Sequence, residues 1–530
     1  MNLGRTIRTV IHLQPVQIWN RIWRKRLLFL RQPQPSTSTS SLPEFEFLNV
    51  KGSPNGWNDP RFEKLWLYNL HYFDYLNEVE VEGRGRQWKL DFVLRWIKEN
   101  PVGWGNGWEP YPISLRVVNW IKWLTNDSHK EHREHKENTE EMINEDKRID
   151  ESLCEQVGWL YPRLEYHLLA NHLLANAKAL VFAGLYFSQS KTFKPSIAKR
   201  WYRKGMEIYR KELPEQICAD GIHFERSAMY HSIILEDLLD CVKMLKRFDG
   251  FDKFDGFERL DEDVMFFRGY AEKMLEGLKL LTGPDGQIAK FNDATEGIAK
   301  SPSDLLAFAT SLDLPSNLSN LSNLSNLSNP SNSSGFLRLE NETYCVIAKC
   351  GEIGPSYQPG HAHADTWSFE LWKGPRKLIG DTGCSTYVPG EVRSYERSTA
   401  AHNTVVIDGR DSSEVWASHR VGRRFDFRRH KRTFELTADG LRGRDEVFGA
   451  GEHDVEIRFH LPPGVGKDEV TIECPGELVW EECLFAEGWN VRKPGLCAVF
   501  RSRQKFPVSL SWRMSAALRA ITKAHHTLPF

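Results

Sequence analysis

No window of the 530-residue chain holds about 18 uninterrupted apolar residues, so the sequence offers no membrane-spanning helix. Net charge is equally scarce, with 70 Lys+Arg against 71 Asp+Glu and a balance of -1. That balance excludes a globally basic nucleic-acid coat, and no nucleic-acid partner is expected. The nine cysteines include no CxxC pair, and nine is an odd number. Reduced, mostly buried thiols are therefore expected rather than a disulfide framework. The first 31 residues lack a secretory pattern. Their apolar stretches are short, broken by Arg5, Arg8, Arg21, Arg24, Lys25, Arg26 and Arg31, and no small-residue cleavage site follows. A basic amphipathic helix is expected there, either packed on its own domain or in weak contact with a membrane surface. Without a clear signal, a cytoplasmic location is the expectation.

What the chain does have is length for two or three units and a 40% hydrophobic content that can build their cores. It is rich in rings, with 18 Trp, 29 Phe and 15 Tyr. Two uses remain open: large aromatic cores, or a cleft lined with flat faces on which sugar C–H groups stack. Residues 32–43 (QPQPSTSTSSLP) read as a Pro/Ser/Thr linker. From 57 to about 310 the pattern is helical. The segments EKLWLYNLHYFDYLNEV, SLRVVNWIKWL, YHLLANHLLANAKALVFAGLYF (with a stop near Gly184), SIILEDLLDCVKML and YAEKMLEGLKLLTGPDG follow one another. Residues 126–151 alternate in charge and read as a solvated insertion or surface helix, so His129, His132 and His135 are expected to be exposed rather than metal-bound. Residues 316–329 repeat Ser-Asn-Leu and read as a polar linker. Beyond 335 the texture changes to short β-branched and aromatic runs with Gly, Asp and Pro turns, the mark of an antiparallel sandwich. The expected division is a basic helix and linker over 1–56, a helical domain over 57–315, a linker over 316–335 and a β-sandwich over 336–530.

Four clusters could carry chemistry. Asn171 and His172 sit inside an apolar helix, where polar side chains need partners. Glu225, Arg226, Tyr230 and His231 lead into another helix, and a Tyr-His pair at a helix start can exchange protons. In PGHAHADTW, His361 and His363 alternate, so an extended segment points both one way, with Asp365 continuing the face. His-X-His with a carboxylate suits a metal, and Asp381 and His402 are further ligand candidates. Trp104, Trp108 and Tyr111 offer either sugar platforms or core rings. A glycoside hydrolase would need two opposed carboxylates, for which Glu109, Asp220 and Glu225 are available.

The segments LEYHLLANHLLANAKALVFAG, DGIHFERSAMYH, GPDGQIAKFND, GHAHADTWSFEL, GDTGCSTY and RSTAAHNTVVIDG, in this order over roughly residues 60–420, resemble the heparinase II/III family of polysaccharide lyases. The resemblance implies an incomplete α/α toroid followed by an antiparallel β-sandwich. It also implies β-elimination on a uronic-acid-containing acidic polysaccharide. In that chemistry Asn171 would neutralise the uronate carboxylate. Tyr230 would be the acid, and the base where stereochemistry permits, and His361 the base for the other epimer. His172, Glu225, His231 and Trp108 would line the substrate subsite. His363, Asp381 and His402 would hold a structural Zn2+. Arg226, His231, Arg393 or Arg397 would supply the positive field that a phenolate needs. The alternative is a carbohydrate-binding or exopolysaccharide-biosynthesis accessory protein that keeps the fold without turnover.

Overall fold

The computed structural model describes residues 3–28, 41–78, 85–126, 140–190, 193–248, 260–315, 333–426 and 428–517. Most of the 32–43 and 316–335 linkers, and the three histidines of the charged run, lie outside the described residues. Two N-terminal helices, α1 (Leu3–Val10) and α2 (Pro15–Leu28), precede a short hairpin of β1 (Phe45–Phe47) and β2 (Val50–Gly52). The helical body comprises α3 (Lys64–Tyr72), α4 (Arg86–Glu99), α5 (Pro110–Thr125), α6 (Glu140–Leu160), α7 (Ala170–Ser188), α8 (Pro195–Gln216), α9 (Ala228–Arg247), α10 (Leu260–Leu281) and α11 (Pro302–Ser311). Consecutive helices pack as hairpins, α7 along α8 and α9 along α10, with α5 laid against α7. The described part of the charged run is the expected surface helix. It opens α6, whose Ile149, Leu153, Val157 and Leu160 are fully buried in the helical core.

Helix α7 is buried nearly all round, with sixteen of its nineteen residues in the interior, as a central helix requires. The expected stop near Gly184 is not there, because α7 runs on to Ser188. Gly184 serves packing instead. A Cβ on it would lie 2.7 Å from the Tyr202 backbone nitrogen, and one on Gly205 would lie 2.8 Å from the Ala177 carbonyl. The two glycines thus face each other's helix and let α7 and α8 close up. The aromatic wealth goes largely into this core. Phe73, Trp96 and Trp120 meet edge to face at 5.4–6.4 Å, and the buried Arg116 guanidinium lies 3.9 Å over Trp96.

The second half has two antiparallel sheets. One is β3 (Phe336–Glu340), β4 (Tyr344–Lys349), β5 (Phe369–Lys373) and β6 (Arg376–Ile379) in sequence order. After α12 (Glu391–Glu396), β7 (Val405–Ile407) and a small ribbon of β8 (Val415–Trp416) and β9 (Arg420–Val421) comes the other. It is built from β10 (His430–Thr437), β11 (Gly440–Leu461), β12 (Val470–Glu473), β13 (Glu477–Gly488) and β14 (Val491–Ala516), with β7 added beside β11. The two inner faces share one core, in which Phe369 stacks on Trp512 at 5.5 Å. Strand β4 is buried at all six positions because its other face meets the helices. Cys345 and Ile347, with Phe336 and Trp372, pack on Ile222, Ala228, Met229, Leu281 and Phe291. The expected order of helical domain then sandwich is what the chain adopts, and this apolar seam fixes one against the other.

Gly184→Ala is expected to destabilise the protein by roughly 1–3 kcal/mol, since the added methyl meets backbone that cannot rotate away. Gly158→Ala is the control. It lies exposed on α6 with nothing within 4 Å of its would-be Cβ, and helix propensity should make it neutral or stabilising by up to about 1 kcal/mol. Urea unfolding of both variants checks the contrast, and equal losses would remove the close-approach explanation.

Candidate active site

The seam between helices and sandwich brings together side chains far apart in sequence. Asn171 enters at the first turn of α7, where its Nδ2 donates to both carboxylate oxygens of Glu225 at 3.1 and 3.0 Å and lies 3.5 Å from His361 Nε2. Tyr230 is the third residue of α9. Its backbone N–H is capped by the Ser227 hydroxyl, which also donates to the Asp293 carbonyl at 2.6 Å. The Tyr230 ring stacks on the His361 ring at 3.9 Å, and its hydroxyl shares a 3.0 Å hydrogen bond with that of Tyr387. Asn171, Glu225, Tyr230 and His361 therefore form one cluster, three from the helical half and His361 from the sandwich half.

Two expected subsite residues are elsewhere. His231, one residue past Tyr230 and so about 100° further round the helix, is fully buried. Its Nδ1 accepts from the His223 backbone and its Nε2 pairs with the Met274 carbonyl at 2.9 Å, so it holds helices together and does not face the cleft. Trp108 is 4% exposed, donates to the Asn100 carbonyl and packs between Trp96 and Trp159. It is a core ring rather than a sugar platform. Tyr111 and His172 are the partly exposed pair nearby, their rings 4.5 Å apart, with His172 3.3 Å from Glu165.

Two residues without an assigned role in the sequence reading organise the cluster. Asp293 is fully buried. Its Oδ2 pairs with His361 Nδ1 at 2.9 Å, its Oδ1 with His363 Nε2 at 2.8 Å, and the Arg393 guanidinium grips both oxygens. Burial alone would raise this carboxyl, but Arg393 and the two histidines hold it well below the usual carboxylate range. By accepting from Nδ1, Asp293 leaves His361 Nε2 with a lone pair directed to Asn171. Tyr387 is the second addition, flanked by Trp489 at 4.6 Å and by the Arg393 guanidinium at 4.9 Å. Both lie in segments already singled out, GPDGQIAKFND and GDTGCSTY, so the available signal was an acidic or phenolic side chain within a shared motif.

Burial raises the Tyr230 phenol well above its ordinary value, with Tyr111, Asp293 and Glu225 adding to the rise and the Tyr387 hydrogen bond opposing it. Burial likewise raises Glu225, against the pull of His361 and the Asn171 amide. The pocket thus holds a neutral phenol and a carboxyl biased toward its protonated form. Of the four cations considered, only Arg393 belongs to the cluster. Arg226 bonds to the Glu352 carbonyl, and Arg397 clamps the carbonyls of Ala362, Trp416, Ala417 and Arg420. Asp220 is tied to Ser334, and Glu109 to Lys64 and Tyr68.

Four left-handed non-glycine residues lie beside the cluster. Leu169 and Ala170, just before Asn171, have φ of 64° and 51°, Arg226 after Glu225 has 56°, and Asn292 before Asp293 has 58°. Each non-glycine left-handed residue costs on the order of 1–3 kcal/mol and persists where the surroundings dictate it.

Potential metal ligands surround the same carboxylate. Asp293 forms one group with His361 and His419 and another with His363 and Cys384, the ligand atoms of each group lying within 4.8 Å of one another. The expected trio is arranged differently. His402 Nδ1 pairs with Asp381 Oδ2 at 2.9 Å, and the His402 and His363 rings lie 5.4 Å apart. His363 Nδ1 and His402 Nε2 are buried with no hydrogen-bond partner, which fits two nitrogens reserved for a cation. Asp365 is not a member, since its carboxylate takes Lys349 and the Asn292 N–H.

Residues 151–306 match the family Heparinase II/III N-terminus, and residues 325–431 match Heparinase II/III-like, C-terminal. The chain is 23% identical over 388 residues to a heparin-sulfate lyase of Bacteroides stercoris, covering 64% of this chain and 54% of that protein. It is 24% identical over 430 residues to a heparin-sulfate lyase of Bacteroides thetaiotaomicron, covering 72% and 58%. The chain thus spans a little over half the length of these curated relatives. Among solved structures, that of heparinase III superposes with a TM-score of 0.65 at 16% identity, over 88% of this chain and 79% of the other. The shared fold is an incomplete α/α toroid joined to a β-sandwich.

Asp293→Asn is expected to lower stability at neutral pH by roughly 3–5 kcal/mol, because it leaves Arg393 buried against a neutral partner. A depressed folded pKa means that the carboxylate's contribution is complete above the unfolded value of about 3.9 and fades as pH falls below it. Urea unfolding at pH 7 and pH 3 should therefore show a smaller gap between wild type and variant at the lower pH. A gap independent of pH would contradict the charge account.

Proposed function

We propose, since the chain belongs to the heparinase II/III family, that it is a polysaccharide lyase that cleaves an acidic, uronate-containing polysaccharide by β-elimination. The observation that carries this reading is the stacking of the Tyr230 phenol on the His361 imidazole, 3.9 Å apart, beside the Asn171 amide and a buried Glu225. β-Elimination asks for a neutralised carboxylate, a base at C5 and an acid at O4. The Asn171 amide, beside a Glu225 carboxyl that burial raises, is the donor to the uronate carboxylate, which makes the C5 hydrogen acidic. His361 Nε2, its tautomer set by Asp293, takes that proton. Tyr230, held neutral, delivers its own proton to the departing O4, and the Tyr387 hydroxyl bonded to it stabilises the phenolate that forms. Tyr111 and His172 offer ring faces to the adjoining sugars. This division gives the tyrosine the acid's work and the histidine the base's, as the raised phenol favours.

The names of the similar proteins point to heparan-type glycosaminoglycans as the first substrates to test. Zn2+ is the ion we read for the buried donor set, with His363, Asp381 and His402 as the residues that would hold it. The ion's contribution would be a cross-link that stiffens the segment from His361 to His363. The proton transfers rest on the side chains.

Incubation with heparan sulfate, heparin, hyaluronan, chondroitin and alginate should raise ultraviolet absorbance as the unsaturated product forms. Tyr230→Phe should reduce that rate by about 10²–10⁴ with an unchanged melting temperature. Reducing ends without absorbance would replace elimination by hydrolysis. Elemental analysis should find about one zinc per chain, and His402→Ala should lose the metal and melt earlier. Full metal retention by that variant would move the site to the Asp293 groups.

A further inference from the structure

Seven of the fifteen exposed large apolar side chains among the described residues lie within residues 7–23. They are Ile7, Val10 and Ile11 in and just after α1, and Ile18, Trp19, Ile22 and Trp23 on α2. Ile11 is 68% exposed and Trp19 61%, and the Trp19 and Trp23 rings lean together at 5.8 Å. The helix is seated by its polar side. Gln17 is completely buried, with its amide reaching the carbonyls of Leu168 and Tyr357 at 3.4 Å each. Arg21 donates to the His167 carbonyl, and Thr9 of α1 to the Val421 carbonyl. Helix α2 thus straddles the seam with Val16, Gln17 and Arg21 inward and its isoleucines and tryptophans outward, the reverse of an ordinary surface helix.

We propose that this face docks on a bilayer surface bearing anionic lipid headgroups. Charge selects that occupant. Residues 1–31 carry seven Arg and Lys and no Asp or Glu, with Arg24, Lys25 and Arg26 continuing α2 directly beyond Trp23. Apolar anchors, interfacial tryptophans and an acid-free cationic stretch are the composition of helices that lie in the headgroup region. A polysaccharide would use the cations and the indoles but has no use for four isoleucines and a valine. The contacts at Leu168 and Tyr357 are close in sequence to Asn171 and His361, so a docked protein would hold its seam near the bilayer. The inference is independent of the reaction performed.

The test is co-sedimentation of the full chain with vesicles of phosphatidylcholine alone or mixed with phosphatidylglycerol. Binding to the anionic vesicles should be at least about tenfold tighter and should weaken as salt rises. Trp19→Ser with Ile22→Ser, and separately Arg24→Gln with Lys25→Gln, should each reduce it about tenfold or more with unchanged melting temperature and unchanged turnover. Three results would overturn the proposal. One is an absence of sedimentation with anionic vesicles. Another is sedimentation that both double variants retain. The third is lipid-independent self-association, or retention on an acidic polysaccharide matrix, that Trp19→Ser with Ile22→Ser abolishes while vesicle binding is nil.

Discussion

One carboxylate, Asp293, holds the site together. It arrives on the loop after α10, yet nearly everything it binds belongs to the sandwich half: His361, His363 and the Arg393 guanidinium. A buried charge without partners would cost several kcal/mol, so the carboxylate is stable only when the two halves are docked with these donors in place. The same contacts choose the His361 tautomer and, through Ser227, tie the start of α9 to the Asp293 carbonyl. Asp293 thus couples the docking of the two halves to the His361 tautomer.

The apolar seam does the rest of the positioning. Strand β4 is buried on both faces, which explains why the sandwich cannot slide on the helices without exposing Ile347 or Trp372. Against that rigid joint the left-handed residues at 169, 170, 226 and 292 are tolerated, and each sits within three residues of a group in the cluster.

Much of this was legible in the sequence. Helical periodicity and the later β-rich texture separated the two halves, and the ordered motifs pointed to Asn171, Glu225, Tyr230 and His361, which the fold brings within contact of one another. What failed did so for geometric reasons. His231 and Tyr230 are neighbours in sequence, but one step of a helix sends one to the core and the other to the cleft. Trp108 lies in a glycine-rich, tryptophan-rich stretch that suits a platform, yet its indole N–H finds a buried carbonyl. Gly184 suggested a helix end because propensity knows nothing of the neighbouring helix that needs the missing side chain. Asp293 and Tyr387 escaped because their roles are relational, defined by a histidine and a tyrosine distant in the chain.

The split origin of the cluster also bears on how such a protein changes over generations. Tyr230 and His361, whose rings stack, are encoded in different halves, and neither half alone contains the pair. Drift in a sandwich loop that moves His361 by an ångström is felt at Tyr230 as strongly as a change in the helix that carries it. Selection therefore acts on the joint as a unit. Surfaces facing away from the seam carry no such constraint.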